Sequence, residues 1–258
     1  MRRWSSQETE YSIALQCCLF NPQFLKRPIM KLIVTGANGY VGSEIIRQSL
    51  KLPQVTSVVA VSRKLVSPPA GTIPTRFESV VVQDYGTYPD HVRDAFRGAD
   101  ACIWTVGITP MVYRSLDPAQ ARKICVDDTF AGLQNMVKSS TNKPFRFLYM
   151  SGADAETDQT KTPPVMPEYF LMRTQGEVEN QVMGFAKQHP DEVVACVARP
   201  GFIIDHSTDV QALKSRMQKD VTVIRVESVA AALLHQALNG FDKEILWTDD
   251  MRSFDETG

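Results

Sequence analysis

Residues 31–46, KLIVTGANGYVGSEII, set an apolar, strand-like run against three glycines spaced three apart and then open directly into a helical pattern. The run from Lys31 to Thr35 is short, rich in aliphatic residues and stopped by Gly36, the pattern of a buried strand. Beyond Gly39, the positions Val41, Ile45, Ile46 and Leu50 recur at helical spacing. A strand, a glycine turn and a helix N-terminus make an anion site, because unpaired backbone N–H groups and the positive end of the helix dipole converge there. A diphosphate is the guest such a turn suits. The spacing is G-x-x-G-x-x-G, one residue longer than the G-x-G-x-x-G dinucleotide fingerprint, so the strand before and the helix after carry the assignment. The expected roles are a tight turn at Gly36, backbone approach to the cofactor at Gly39 and close helix-to-strand packing at Gly42. Asn38, Tyr40 and Val41 complete the candidate cofactor loop.

Strand and helix patterns alternate along the rest of the chain. Strands are expected at 58–61, 80–82, 101–107, 145–152 and 193–198, with a short last one at 244–248. Helices are expected near 91–96, 118–138, 168–187 and 226–238. Repeated βα units of this length predict an α/β fold: a doubly wound, Rossmann-like parallel sheet of about seven strands with helices on both faces. Ligands bind such sheets outside the carboxyl ends of the strands, where Gly36, Ser62, Asp84, Gly107 and Ser151 fall.

A chain of 258 residues, 43% of them hydrophobic, accommodates one sizeable core. The expectation is a single domain over 31–258, with residues 1–30 a poorly ordered extension ending at the first strand. A net charge of −1 and no Lys/Arg run longer than two residues argue against nucleic acid and against an anionic membrane as partners. Five cysteines without C-x-x-C spacing point to a cytoplasmic protein rather than a disulfide framework, and four scattered histidines suggest no metal site.

The end of the second strand bears on which nucleotide is bound. A carboxylate there accepts hydrogen bonds from a ribose 2′-hydroxyl, whereas an arginine pairs with a 2′-phosphate. This chain carries Ser62-Arg63-Lys64, two cations and no carboxylate, which favours NADPH, with Arg63 as a planar fork and Lys64 as a point charge. Asp84, at the third strand end, suits either an adenine amino group or the cap of the next turn.

Taken together, TGANGYVG at 35–42, Arg63, Asp84, Ser151 and Arg199-Pro200-Gly201 resemble the short-chain dehydrogenase/reductase superfamily, in its extended and atypical branches. The resemblance implies that Pro200 and Gly201 lie near the nicotinamide and that Ser151 belongs to a Ser/Tyr/Lys set. In that set the tyrosine exchanges a proton with the substrate oxygen as hydride moves to or from nicotinamide C4, the lysine tunes the tyrosine, and the serine orients the carbonyl. The chain departs from this pattern in PEYFLMRTQGEVENQV. One frame pairs Tyr169 with Arg173. The other, fixed by the downstream GEVEN, puts Leu171 and Gln175 at the tyrosine and lysine positions. The two differ by about 200° around a helix, so only one faces the cofactor. An NADPH-dependent reductase of a small carbonyl compound is expected, with Ser151, Tyr169 and Arg173 as its catalytic candidates. The rival is a non-catalytic NADP(H)-binding regulator or scaffold. A sugar-nucleotide epimerase is not expected, since only 57 residues follow Gly201. Met111, Tyr113, Met166 and Phe170 suggest a partly apolar wall for a small-molecule substrate. Related enzymes pair through helices, which leaves a homo-oligomer open.

Overall fold

The computed structural model describes residues 30–162, 167–215 and 221–254. The expectation for the chain ahead of the first strand, and that for Met166, lie outside these residues. Nine strands are present among them: β1 (Met30–Thr35), β2 (Val55–Ser62), β3 (Phe77–Val81), β4 (Ala101–Trp104), β5 (Phe145–Met150), β6 (Val193–Arg199), β7 (Phe202–Ile204), β8 (Val223–Arg225) and β9 (Ile245–Trp247). Seven form one sheet in the order β3-β2-β1-β4-β5-β6-β9. Every pairing in it is parallel. The doubly wound sheet read from the sequence is therefore the fold.

The helices are α1 (Tyr40–Ser49), α2 (Asp90–Phe96), α3 (Pro110–Tyr113), α4 (Pro118–Arg122), α5 (Asp128–Ser139), α6 (Pro167–Gln188), α7 (Val210–Lys214), α8 (Val226–Asn239) and α9 (Thr248–Arg252). They cover both sheet faces, which is why the central strands read as unbroken apolar runs. In β1, Ile33 belongs to the cluster with Trp104, Leu133, Phe147 and Val182 on one face. Its neighbours Leu32 and Val34 belong to the cluster with Ile45, Leu148 and Leu233 on the other.

Three departures from the expected elements have physical causes or consequences. The strand expected at 80–82 runs instead over 77–81, because its first half, Phe77, Glu78 and Ser79, is partly exposed at a sheet edge and carries no apolar run to mark it. The long helix expected over 118–138 is interrupted by a π-helical turn, Lys123–Asp127, which brings Lys123 to both Asp84 and Asp128. Finally, β7 and β8 pair with each other as a small parallel ribbon after β6. At three residues each, they are too short to leave an alternation pattern.

Strand order reverses between β1 and β4, and the crevice outside their carboxyl ends is the place where such sheets take ligands. Among the described residues no helix is long and apolar enough to cross a membrane.

Candidate cofactor and substrate site

The glycine turn sits at this reversal. Gly36 has φ of +67°, and a Cβ on it would lie 2.5 Å from Thr105 Oγ1. Thr105 holds that position by donating from Oγ1 to the Thr35 carbonyl at 2.6 Å and from its backbone N–H to Thr35 Oγ1 at 3.2 Å. The turn closes through Gly39 N–H to the Gly36 carbonyl at 2.7 Å. A Cβ on Gly42 would lie 2.4 Å from the same carbonyl oxygen, so the first turn of α1 rests directly on the loop. Val41 turns into the core and Tyr40 outward. Gly39 is the N-cap of α1, and neither a side-chain cap nor an acidic residue occupies the first turn. The N-terminus of α1 thus carries no side-chain cap and no first-turn carboxylate to offset its dipole. An open cleft of about 410 Å³, lined by Ala37, Asn38, Ser43 and Leu65 among others, adjoins the turn. Gly107, after β4, is exposed, and a Cβ there would meet nothing within 4 Å.

At the end of β2, Arg63 and Lys64 are exposed, and neither side chain is engaged in an ion pair or hydrogen bond among the described residues. The Asn38 side chain donates to Ser62 Oγ at 2.9 Å and to the Lys64 carbonyl at 3.1 Å. From the other flank, Gln83 Nε2 donates to the Arg63 carbonyl at 2.9 Å. Asp84 caps its own turn, accepting from Gly86 N–H at 3.0 Å, and pairs with Lys123 at 2.7 Å. The Lys123 ammonium, then the Gly86 N–H, hold its carboxyl below the usual carboxylate range.

The ends of β5 and β6 are stitched together beyond the strands. Ser151 N–H donates to Ala198 O at 2.8 Å, and Ala153 N–H donates to Pro200 O at 3.0 Å. Gly201 N–H reaches Thr248 Oγ1 at 2.9 Å, and a Cβ on Gly201 would lie 2.3 Å from the Thr222 carbonyl oxygen. The Ser151 hydroxyl itself is buried with no hydrogen-bond partner among the described residues. A buried hydroxyl without a partner is costly, and a ligand oxygen or amide at the strand ends would relieve it.

Helix α6 presents two different faces. Leu171, Val178 and Val182 are buried. On that side the Gln175 amide lies against the Ser151-Gly152 segment, 3.2 Å from where a Cβ of Gly152 would stand. The opposite face carries the chain at 156–161. Arg173 donates to the carbonyls of Lys161 at 2.7 Å and Gln159 at 3.0 Å. Asn180 donates to Thr157 O at 2.8 Å, and a Cβ on Gly176 would lie 1.8 Å from Glu156 O. Tyr169, one turn before Arg173, shares that face. The structure therefore brings Gln175 to the end of β5 and places Arg173 on the 156–161 segment. Of the apolar residues expected to form a wall, Met111 and Phe170 are exposed, on helices α3 and α6 that contact each other.

Sequence reasoning missed the ion pair under this site. Arg199, the first residue of the Arg-Pro-Gly turn, is held in a bidentate grip by Glu179 of α6. The available signal was Glu179 itself, a carboxylate one residue from Val178 and three from Val182 on a core-facing stripe, where burial requires a cation. Among the described residues no cluster of His, Cys, Asp and Glu is arranged to hold a metal ion.

No family model matches the chain. A curated relative, "Leucinostatins biosynthesis cluster protein T" of Purpureocillium lilacinum, is 30% identical over 130 residues. That match covers 47% of this chain and 42% of the relative, so the chain spans less than half of the relative's length. Among solved structures, DesIV (dTDP-glucose 4,6-dehydratase) from Streptomyces venezuelae, with NAD and TYD bound, is similar at a TM-score of 0.63 and 16% identity, over 85% of this chain and 75% of that one. Gre2 from Candida albicans, in complex with NADPH, is similar at 0.62 and 15%, over 85% and 78%. At such identities the likeness establishes architecture alone: the chain has a doubly wound, Rossmann-type α/β fold like theirs.

Proposed function

We propose that this chain is an NADP(H)-dependent oxidoreductase of the short-chain dehydrogenase/reductase type, acting on a small, partly apolar carbonyl or related substrate. The observation that carries this reading is the uncapped N-terminus of α1 on the Gly36-Gly39-Gly42 turn at the strand-order reversal, with two cations at the next strand end that are unpaired among the described residues. Backbone N–H groups at this turn would hold the diphosphate, Arg63 and Lys64 a 2′-phosphate, and Asp84, Gly107, Pro200 and Gly201 would border the rest. When bound, the nicotinamide supplies the hydride chemistry. On the chain's side, the Ser151 hydroxyl would donate to the substrate oxygen. Buried apolar surroundings strengthen such a bond and exclude water. Exposed Met111 and Phe170 would border an apolar part of the substrate. The curated relative is named for a biosynthesis cluster, which accords with a small-molecule substrate. Buried free thiols at Cys102, Cys125 and Cys196 accord with a reducing, cytoplasmic setting.

A second reading, a non-catalytic NADP(H)-binding regulator, is favoured by one observation. Arg173 is committed to backbone carbonyls, and Gln175 rather than a lysine lies at the end of β5. Mixing the NADPH-loaded protein with small aldehydes and ketones in single-turnover mode tests the choice. Oxidation of the bound nucleotide by any of them supports the oxidoreductase; tight binding with no turnover across the panel leaves the regulator.

A further inference from the structure

The two cations after β2 stand on a backbone held from both sides. The Lys64 carbonyl accepts from Asn38, which belongs to the glycine turn after β1. The Arg63 carbonyl accepts from Gln83, which follows β3. Ser62 Oγ lies between, accepting from Asn38 at 2.9 Å and from the Lys64 N–H at 3.2 Å, and donating to the same Lys64 carbonyl, so that Asn38 anchors both the carbonyl and the hydroxyl that shares it. Asn38, Gln83, Arg63 and Lys64 are all exposed. Water would satisfy exposed carbonyls equally well, so these amide bonds add little net stability. What they fix is direction: two consecutive peptide groups cannot rotate while both carbonyls are held. A guanidinium recognises phosphate through a planar fork, whose value depends on the angle at which it arrives.

We infer that Asn38 and Gln83 are positioning residues for nucleotide selectivity. They aim Arg63 and Lys64 at a dianionic phosphate bound beside the glycine turn, and Asn38 joins the diphosphate turn and the 2′-phosphate site into one unit. This rests on the proposed cofactor reading and assigns these amides a role that acts through the cations. A direct Asn38 contact with the diphosphate gives a different pattern, because NADH and NADPH share that diphosphate.

The test is the affinity of the full chain for NADPH and for NADH, by calorimetry, in the unmodified protein and in Asn38→Ala and Gln83→Ala. Thermal melts check that each variant is folded. Each substitution is expected to weaken NADPH by about tenfold and to leave NADH within about twofold. Gln83→Ala keeps the test decisive if Asn38→Ala disturbs the glycine turn. Parallel loss of both nucleotides in both variants, or no change in either, overturns the inference. If the unmodified chain binds neither nucleotide, the cofactor reading fails first, and that result is distinct from a change in selectivity.

Discussion

The Arg199 guanidinium and the Glu179 carboxylate form a buried bidentate pair, with Nε 3.0 Å from one carboxylate oxygen and 3.1 Å from the other. The Trp247 ring lies 4.9 Å from the guanidinium carbon. The pair fastens α6 to the end of β6, so the helix carrying Gln175 and the turn carrying Pro200 move together. Both side chains are over nine-tenths buried, which leaves either one uncompensated if its partner is removed.

Glu179→Ala is therefore expected to cost about 3–5 kcal/mol in urea unfolding. The double variant Glu179→Leu with Arg199→Met is expected to recover much of that loss, since an apolar pair of similar volume leaves no buried charge.

Two glycines bordering the strand ends differ sharply. Gly36→Ala places a Cβ at positive φ and into Thr105, at an expected cost of about 2–4 kcal/mol. Gly107→Ala meets open space and is expected to change stability by less than about 0.5 kcal/mol. Denaturant titration of both variants checks the contrast.

The two faces of α6 are expected to differ in role. Arg173→Ala releases two backbone carbonyls of the 156–161 segment, with an expected stability loss of about 1–2 kcal/mol and unchanged NADPH affinity. Gln175→Ala, at the end of β5, is expected to weaken NADPH severalfold with little change in melting temperature. Calorimetric titration of both variants reads the difference, and the reverse assignment would put the Tyr169 frame at the cofactor.

Burial pushes the Cys125 thiol up to about 11 and the Cys196 thiol up to about 12, from an ordinary value of 9.0. A raised folded value favours the neutral thiol in the fold. This contribution is full below about pH 9 and is lost as pH rises toward 11–12. With Cys17 and Cys18 changed to Ser, the protein is expected to resist a thiol-reactive disulfide at pH 8 until unfolded. Its urea midpoint is expected to fall between pH 9 and 10.5.

Much of this architecture is legible in the sequence because its strands are buried on both faces. Runs such as Leu32-Ile33-Val34 and Val58-Val59-Ala60-Val61 announce themselves, and the glycine spacing at 36–42 places the turn. The start of edge strand β3 and the ribbon of β7 with β8 are hidden for the opposite reason: they are half exposed or very short. In the site, Asn38 is legible as part of the cofactor loop and Gln83 is not legible at all, since amide-to-carbonyl contacts across three strand ends leave no spacing signature. The same holds for Arg173, whose partners at 159–161 are set by how the segment before α6 folds back. Glu179 was legible in principle as a carboxylate on an apolar stripe, but its partner, Arg199, lies twenty residues away.

The most direct test of the central claim is a calorimetric titration of the full chain with NADPH and with NADH under matched conditions. The account predicts binding of both through the shared diphosphate turn, with NADPH the tighter by at least about tenfold through Arg63 and Lys64. Equal affinity would contradict the role given to the two cations, and no binding of either would contradict the cofactor site itself.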